Sequence, residues 1–174
     1  MTRHVTSVEM AAWRAFLEAH AAVTRELDAE LREERDLPLT WYDALVQLHE
    51  AGGELRMSDL AGRLLLSRSA TTRFAQRLET AGLVVRTVAR SDRRGRTVTI
   101  TPLGVEKLRA AAVVHLHGIA THFACHIDGN EAGLLAEILG RMSRGGGRLR
   151  RGGGAPGRRE FFFGGLDPGS ETEA

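Results

Sequence analysis

Cysteine is nearly absent. Cys125 is the only one in 174 residues, which rules out an internal disulfide framework. Lysine is as scarce, one against 23 arginines, so positive charge rests on planar guanidinium groups suited to bidentate contact with phosphate and guanine. No apolar run approaches the roughly 20 residues of a membrane span, and the first residues lack the basic-then-apolar pattern of a secretory signal. A cytoplasmic protein without membrane contact is expected. There is no nucleophile–base constellation, no glycine loop after a strand to cradle phosphate and no motif-placed pair of carboxylates, so neither catalysis nor a cofactor is expected. The net charge of +2 is also uninformative, because the last 32 residues, with six arginines and four acids, supply all of it. An argument for a polyanionic partner has to be local.

Locally the charge is sorted. Residues 61–100 hold nine arginines against two acids, whereas residues 1–59 hold six arginines against twelve acids. The basic stretch also changes period. Ala70, Phe74 and Leu78 recur at helical spacing, and two β-branched runs follow, at 83–89 and 96–101, joined by the arginine-dense turn 90–95. The pattern predicts a helix followed by a β-hairpin.

Thr6 and Glu9 have capping-box spacing, and Ala12, Phe16, Ala19, Val23, Leu27 and Leu31 make one apolar stripe on a long first helix, ended by Leu37-Pro38. Thr40 is placed to cap a second helix, with Trp41, Ala44, Leu45 and Leu48 on its buried face and Gly52-Gly53 as its stop. A short third helix is expected with Ser58 as its N-cap, and a three-residue connection leads into the fourth, which starts near Ser67. Two helices so closely joined, the second basic, describe a helix-turn-helix. Thr101-Pro102 starts a fifth helix that the apolar spacing carries to about His126, and Asp128 with Glu131 caps a sixth.

On the fourth helix Ala70, Thr71, Phe74 and Leu78 fall on one side, and Ser69, Thr72, Arg73 and Gln76 on the other, with Ser67 and Arg68 at the tip. Hydroxyls, an amide and guanidinium groups are the side chains that read base edges and bind phosphates. A hairpin tip carrying Arg90, Asp92, Arg93, Arg94 and Arg96 repels itself unless it faces anions, which suits a wing lying along a phosphate backbone. The fold class is therefore mainly α with a small β-hairpin wing: a winged helix-turn-helix at 37–101, with N- and C-terminal dimerisation helices at 1–36 and 102–142. The apolar stripes of helices one, five and six exceed what such a domain buries alone, and a two-fold dimer is the usual way to cover them. Residues 143–174 hold ten of the twenty glycines and are expected to be a disordered Gly/Arg-rich tail. In it Phe161, Phe162 and Phe163 read either as an unstructured apolar fleck or as a docking segment.

Residues 8–142 resemble the MarR (multiple antibiotic resistance regulator) family of bacterial transcription regulators. The resemblance is carried by SRSATTRFAQRLETAGLVVRTVARSDRRGRTVTITPLG, in which TR, RLE, AGLV, R, DRRG, V, TIT and G stand at the family's spacings. It implies a homodimer on a pseudo-palindromic double-stranded operator, with a recognition helix in each of two major grooves and wings over the flanking minor grooves. It also implies repression relieved by a small molecule or an oxidant. Carried over by position, Ser67, Arg68, Ser69, Thr72 and Arg73 fall at recognition-helix contacts. Asp92 and Arg94 match the wing pair whose arginine enters the minor groove, Arg93 and Arg96 flank them, and Arg77 is expected to pair with Asp92.

A small aromatic effector would be expected near Trp13, Phe16, Trp41 and Tyr42, although aromatics at helical spacing also serve as plain core. His122 and His126, four apart on the fifth helix, could chelate a metal, and Cys125 could sense oxidant. No second ligand cluster supports the metal, so no metal site is assigned, and Cys125 reads as a structural thiol. The alternatives left open are a metal- or redox-responsive regulator of the same fold, and a winged-helix module that binds protein.

Overall fold

The computed structural model describes residues 4–88 and 96–145. Its elements are α1 (Ser7–Arg35), α2 (Leu39–Glu50), β1 (Glu54–Arg56), α3 (Met57–Arg63), α4 (Arg68–Thr80), β2 (Val84–Val88), β3 (Arg96–Ile100), α5 (Pro102–His122), a 3-10 turn (Ala124–His126) and α6 (Gly129–Gly145). The chain divides after His122 into two compact units, with α1 to α5 in the first and the 3-10 turn and α6 in the second. Among the described residues no single helix is long and apolar enough to cross a membrane.

Within the first unit the caps set the helix ends. The Thr6 hydroxyl accepts the Glu9 N–H at 3.2 Å while the Glu9 carboxylate accepts the Thr6 N–H at 2.9 Å, the reciprocal box expected for α1. The helix ends one residue before the expected Leu37-Pro38 stop. Asp36 takes the left-handed conformation (φ 50°), its N–H bonds to Arg32 O, and Leu37 N–H closes onto Leu31 O, so the carbonyl ends are met by a Schellman closure. Leu27, Leu31 and Leu37 are buried with Leu45, Leu48 and Leu108, each contributing about 2 kcal/mol by leaving water. The N-terminal half of α1 is different: Val8, Trp13, Phe16 and Leu17 of its apolar side stay exposed in the single chain.

Three further boundaries differ from expectation. Helix α2 starts at Leu39 with Pro38 as its cap position, and Thr40 caps nothing; the Leu39 N–H is instead accepted at 2.8 Å by the carboxylate of Asp28 on α1. Helix α3 starts at Met57 with Arg56 in the cap position, so Ser58, expected as the N-cap, lies inside the first turn and caps nothing, because the chain leaves strand β1 directly into the helix. Helix α5 stops at His122, not His126. Phe123 breaks it, i+3 bonds from His126 and Ile127 follow, and Ile127 is extended so that Asp128 can cap α6 through the N–H groups of Asn130 and Glu131. His122 and His126 therefore do not share one helical face.

Strand β1 was not apparent in the sequence. It pairs with β3 (Leu55 opposite Val98), and β3 pairs with β2 (Arg86 opposite Val98), giving an antiparallel sheet of order β1-β3-β2. Val84 and Val98 turn inward and are buried.

Asp28 yields a test. Its carboxyl is held below the ordinary 3.8 by the Arg32 hydrogen bond and, against some desolvation, by the Leu39 N–H. A depressed carboxyl contributes stability that is complete above its unfolded value and disappears as pH falls through its folded one. Asp28→Ala should cost about 1 kcal/mol at pH 7, the usual size of a lost N-terminal cap. The gap in Tm between mutant and wild type should then narrow near pH 3. A constant gap would mean that the charged cap is not what holds α2 to α1.

Candidate nucleic-acid interface

Helices α3 and α4 are joined through Leu64 to Ser67 by a tight turn in which Leu65 adopts φ 55° and Leu66 N–H reaches back to Ala61 O at 3.0 Å. A non-glycine residue in that region costs about 1–2 kcal/mol, so the packing of the two helices imposes it. Leu60 on α3 and Phe74, Ala75 and Leu78 on α4 are buried. Ser67 caps α4, its hydroxyl accepting the Ala70 N–H at 3.3 Å.

This burial leaves Ser67, Arg68, Ser69, Thr72, Arg73, Gln76 and Arg77 exposed on α4. Their hydrogen bonding narrows what each can offer. The Thr72 hydroxyl donates to Arg68 O at 3.0 Å, so outward it presents lone pairs and a methyl group: an acceptor for a base amino group and a contact for a thymine methyl. Ser69 shares a hydroxyl contact of 3.3 Å with Ser67 and can present either polarity. Arg68 and Arg73 offer donors only. The Arg77 guanidinium lies over the Phe74 ring, 5.9 Å from its centroid.

The reading helix is tied to the wing strands by a pair that sequence reasoning missed. Glu79, at the end of α4, accepts the Arg86 backbone N–H at 2.9 Å and its guanidinium at 2.7 Å, fixing β2 against the helix. The Arg86 hydrogen bond, first from the side chain and then from the backbone, holds the Glu79 carboxyl below the usual carboxylate range. The signal available was one of two acids in a basic stretch, the glutamate of the RLE element. Gly82 follows with φ 74°, a conformation glycine adopts without penalty. Thr101 then joins three elements: its hydroxyl donates to Gly82 O at 2.7 Å and accepts the Gly104 N–H at 3.0 Å, while its N–H bonds to Leu83 O at 3.0 Å. Arg96 is exposed at the described end of β3, opposite Val88. Asp92, Arg93 and Arg94, and with them the expected Arg77–Asp92 pair, lie outside the described residues.

The four aromatics assigned to an effector site do not meet. Trp13 and Phe16 are neighbours on α1, with ring centroids 6.0 Å apart and both side chains exposed. Tyr42 is buried against His115 at 4.5 Å, and burial raises the phenol's pKa and lowers the imidazole's. Trp41 lines a groove against α4. Among the described residues no cluster of three or more His, Cys, Asp or Glu could hold a metal ion. The His122 imidazole is engaged by Glu30 at 2.7 Å, joining α5 to α1.

Known proteins share this arrangement. A family model described as MarR family matches residues 35–95. No curated protein sequence matches the chain. Among solved structures, an organohalide-sensing transcriptional regulator with 2,4-dichlorophenol bound has the same fold (TM-score 0.71, 18% identity, 80% of this chain and 82% of that one). Sco3205 from Streptomyces coelicolor, a MarR family transcriptional regulator solved in complex with DNA, is 30% identical over 83% of this chain and 91% of its own, with a TM-score of 0.77. AbsC, also a MarR family transcriptional regulator from Streptomyces coelicolor, is 33% identical over 82% of this chain and 97% of its own, with a TM-score of 0.75. With identity and coverage at that level, on a scaffold that exposes a capped basic helix beside a paired hairpin, the chain belongs to the MarR family of transcription regulators.

Proposed function

We propose that the protein acts as a cytoplasmic homodimeric repressor that reads a pseudo-palindromic operator through two copies of α4 and is released by a small aromatic ligand. The observation that carries this reading is the outward face of α4, where a serine, a threonine, a glutamine and three arginines stand exposed on a helix clamped at both ends. Residues 37–101 form the DNA-reading part, and residues 1–36 and 102–142 form the dimerising part. Support for the dimer comes from Val8 (76% exposed), Trp13 (54%) and Val113 (54%), apolar side chains of the first unit that the single chain leaves in water. In this reading Ser67, Arg68, Ser69, Thr72 and Arg73 contact the major groove. Arg77 and Asp92 set the wing, and Arg93, Arg94 and Arg96 serve the wing contacts.

Selection of bound sequences from a random duplex pool should return an inverted repeat, and titration against it should give a binding constant that falls steeply with salt. Arg94→Ala should lower operator affinity several-fold or more. It should also make the log–log salt dependence shallower by about 0.9 for each phosphate that the variant no longer neutralises. Equal, weak binding to every duplex would support a protein-binding module instead.

A further inference from the structure

An open groove of about 780 Å³ runs along one flank of α4, between it and α2. Its α4 wall is the stripe Ala70, Arg73, Arg77 and Thr80, spaced three, four and three residues apart, with Gln76 beside it; its α2 wall is the half-buried indole of Trp41. Among the described residues, its lining includes two guanidinium groups and no carboxylate. Asp28, the α1 acid whose carboxylate caps the start of α2, is already engaged by Arg32 and the Leu39 N–H. The groove therefore presents donors and an apolar plate, a surface for an anion attached to something flat or apolar.

We propose that this groove seats the sugar-phosphate backbone of the operator strand bordering the major groove, with Trp41 as a DNA-positioning residue on α2. The proposal rests on the reading of α4 as the helix that enters the major groove. A helix with its side chains is about 10–12 Å across and the major groove about 12 Å wide, so a helix lying in it has a phosphate strand along each flank. On the flank facing α2, that strand meets the groove. Arg77, whose five N–H donors let one guanidinium face phosphate while it also makes the proposed pair with Asp92, bridges the strand and the wing, and Arg73 stands on the border between this flank and the base-reading face. The indole offers one N–H, which can only donate, and a face that covers deoxyribose. Trp41 thereby changes role: it belongs to the DNA interface and not to an effector pocket shared with Trp13, Phe16 and Tyr42.

The test uses the full chain, with Trp41→Phe as the variant because phenylalanine retains an apolar plate and gives up only the N–H and part of the ring. A backbone contact carries no base information. Trp41→Phe should therefore weaken the selected operator and a scrambled duplex by the same factor, about 3- to 10-fold, at unchanged melting temperature. In parallel, acrylamide quenching of the wild-type tryptophan emission should drop on saturation with operator, and the drop should be absent in Trp41→Phe, whose remaining tryptophan is Trp13. Unchanged affinity, or quenching in the wild type that operator does not alter, overturns the proposal while leaving the DNA reading intact. Shielding of Trp41 by salicylate but not by operator would also overturn it, since the groove would then hold a free aromatic anion. Absence of binding to any duplex would remove the reading of α4 on which it depends.

Discussion

Arg73→Ala is expected to lower operator affinity at least tenfold and to remove discrimination at one base pair in each half-site. The residue is exposed on the outward face of α4, nearly two turns beyond the Ser67 cap, on a helix that Phe74 and Leu78 anchor from below and the Glu79–Arg86 pair holds from behind. Its guanidinium thus starts from a fixed platform, so little ordering opposes a bidentate contact. A good bidentate contact from arginine to guanine O6 and N7 is worth about 1–3 kcal/mol of discrimination, and a dimer makes it twice. Arg73→Lys separates this role from simple charge. Lysine keeps the positive charge for phosphate but not the planar fork, so binding to a scrambled duplex should recover while the preference for the operator does not. Titration of both variants against both duplexes gives the answer. If lysine restores full operator preference, Arg73 serves the backbone alone.

The parts legible in the sequence are those encoded locally. Thr6 with Glu9, Ser67, Thr101 and Asp128 with Glu131 announced their helix starts because each capping hydrogen bond closes within three residues. The buried face of α4 followed from a 3.6-residue period. Parts held by distant partners were hidden. The cap of α2 comes from Asp28, eleven residues upstream on another helix, so Thr40 looked like the better candidate. Strand β1 is three residues long and exists only because β3 offers it an edge. The groove beside α4 could not be anticipated either, since Trp41 at helical spacing reads as core until α2 is placed against α4.

Gly104→Ala should destabilise the fold by about 1–3 kcal/mol, the range for forcing extra atoms into a packed site, although alanine is the better helix former by about 1 kcal/mol. Gly104 sits in the first turn of α5 with ordinary backbone angles, so conformational freedom is not what it supplies. What it supplies is room. A Cβ there would run into the Leu83 carbonyl oxygen and come within 2.8 Å of Ile100 Cγ1. The side-chain carbon can yield, but the carbonyl cannot move freely, because it accepts the Thr101 N–H while Leu83 N–H is bonded to Leu78 O. Relief requires the start of α5 to lift from the junction where Thr101 ties it to the end of α4. Gly62, inside α3, has nothing within 4 Å of its added Cβ, so Gly62→Ala should instead gain close to the full propensity difference. Urea denaturation should therefore shift in opposite directions for two glycines that are both helical. If α5 also carries the dimer, the lifted junction in Gly104→Ala should loosen the spacing of the two reading helices and weaken the operator more than a scrambled duplex. A stabilised Gly104→Ala would mean that α5 and the hairpin are free to slide past each other there, and that the link from dimerisation helix to reading helix runs elsewhere.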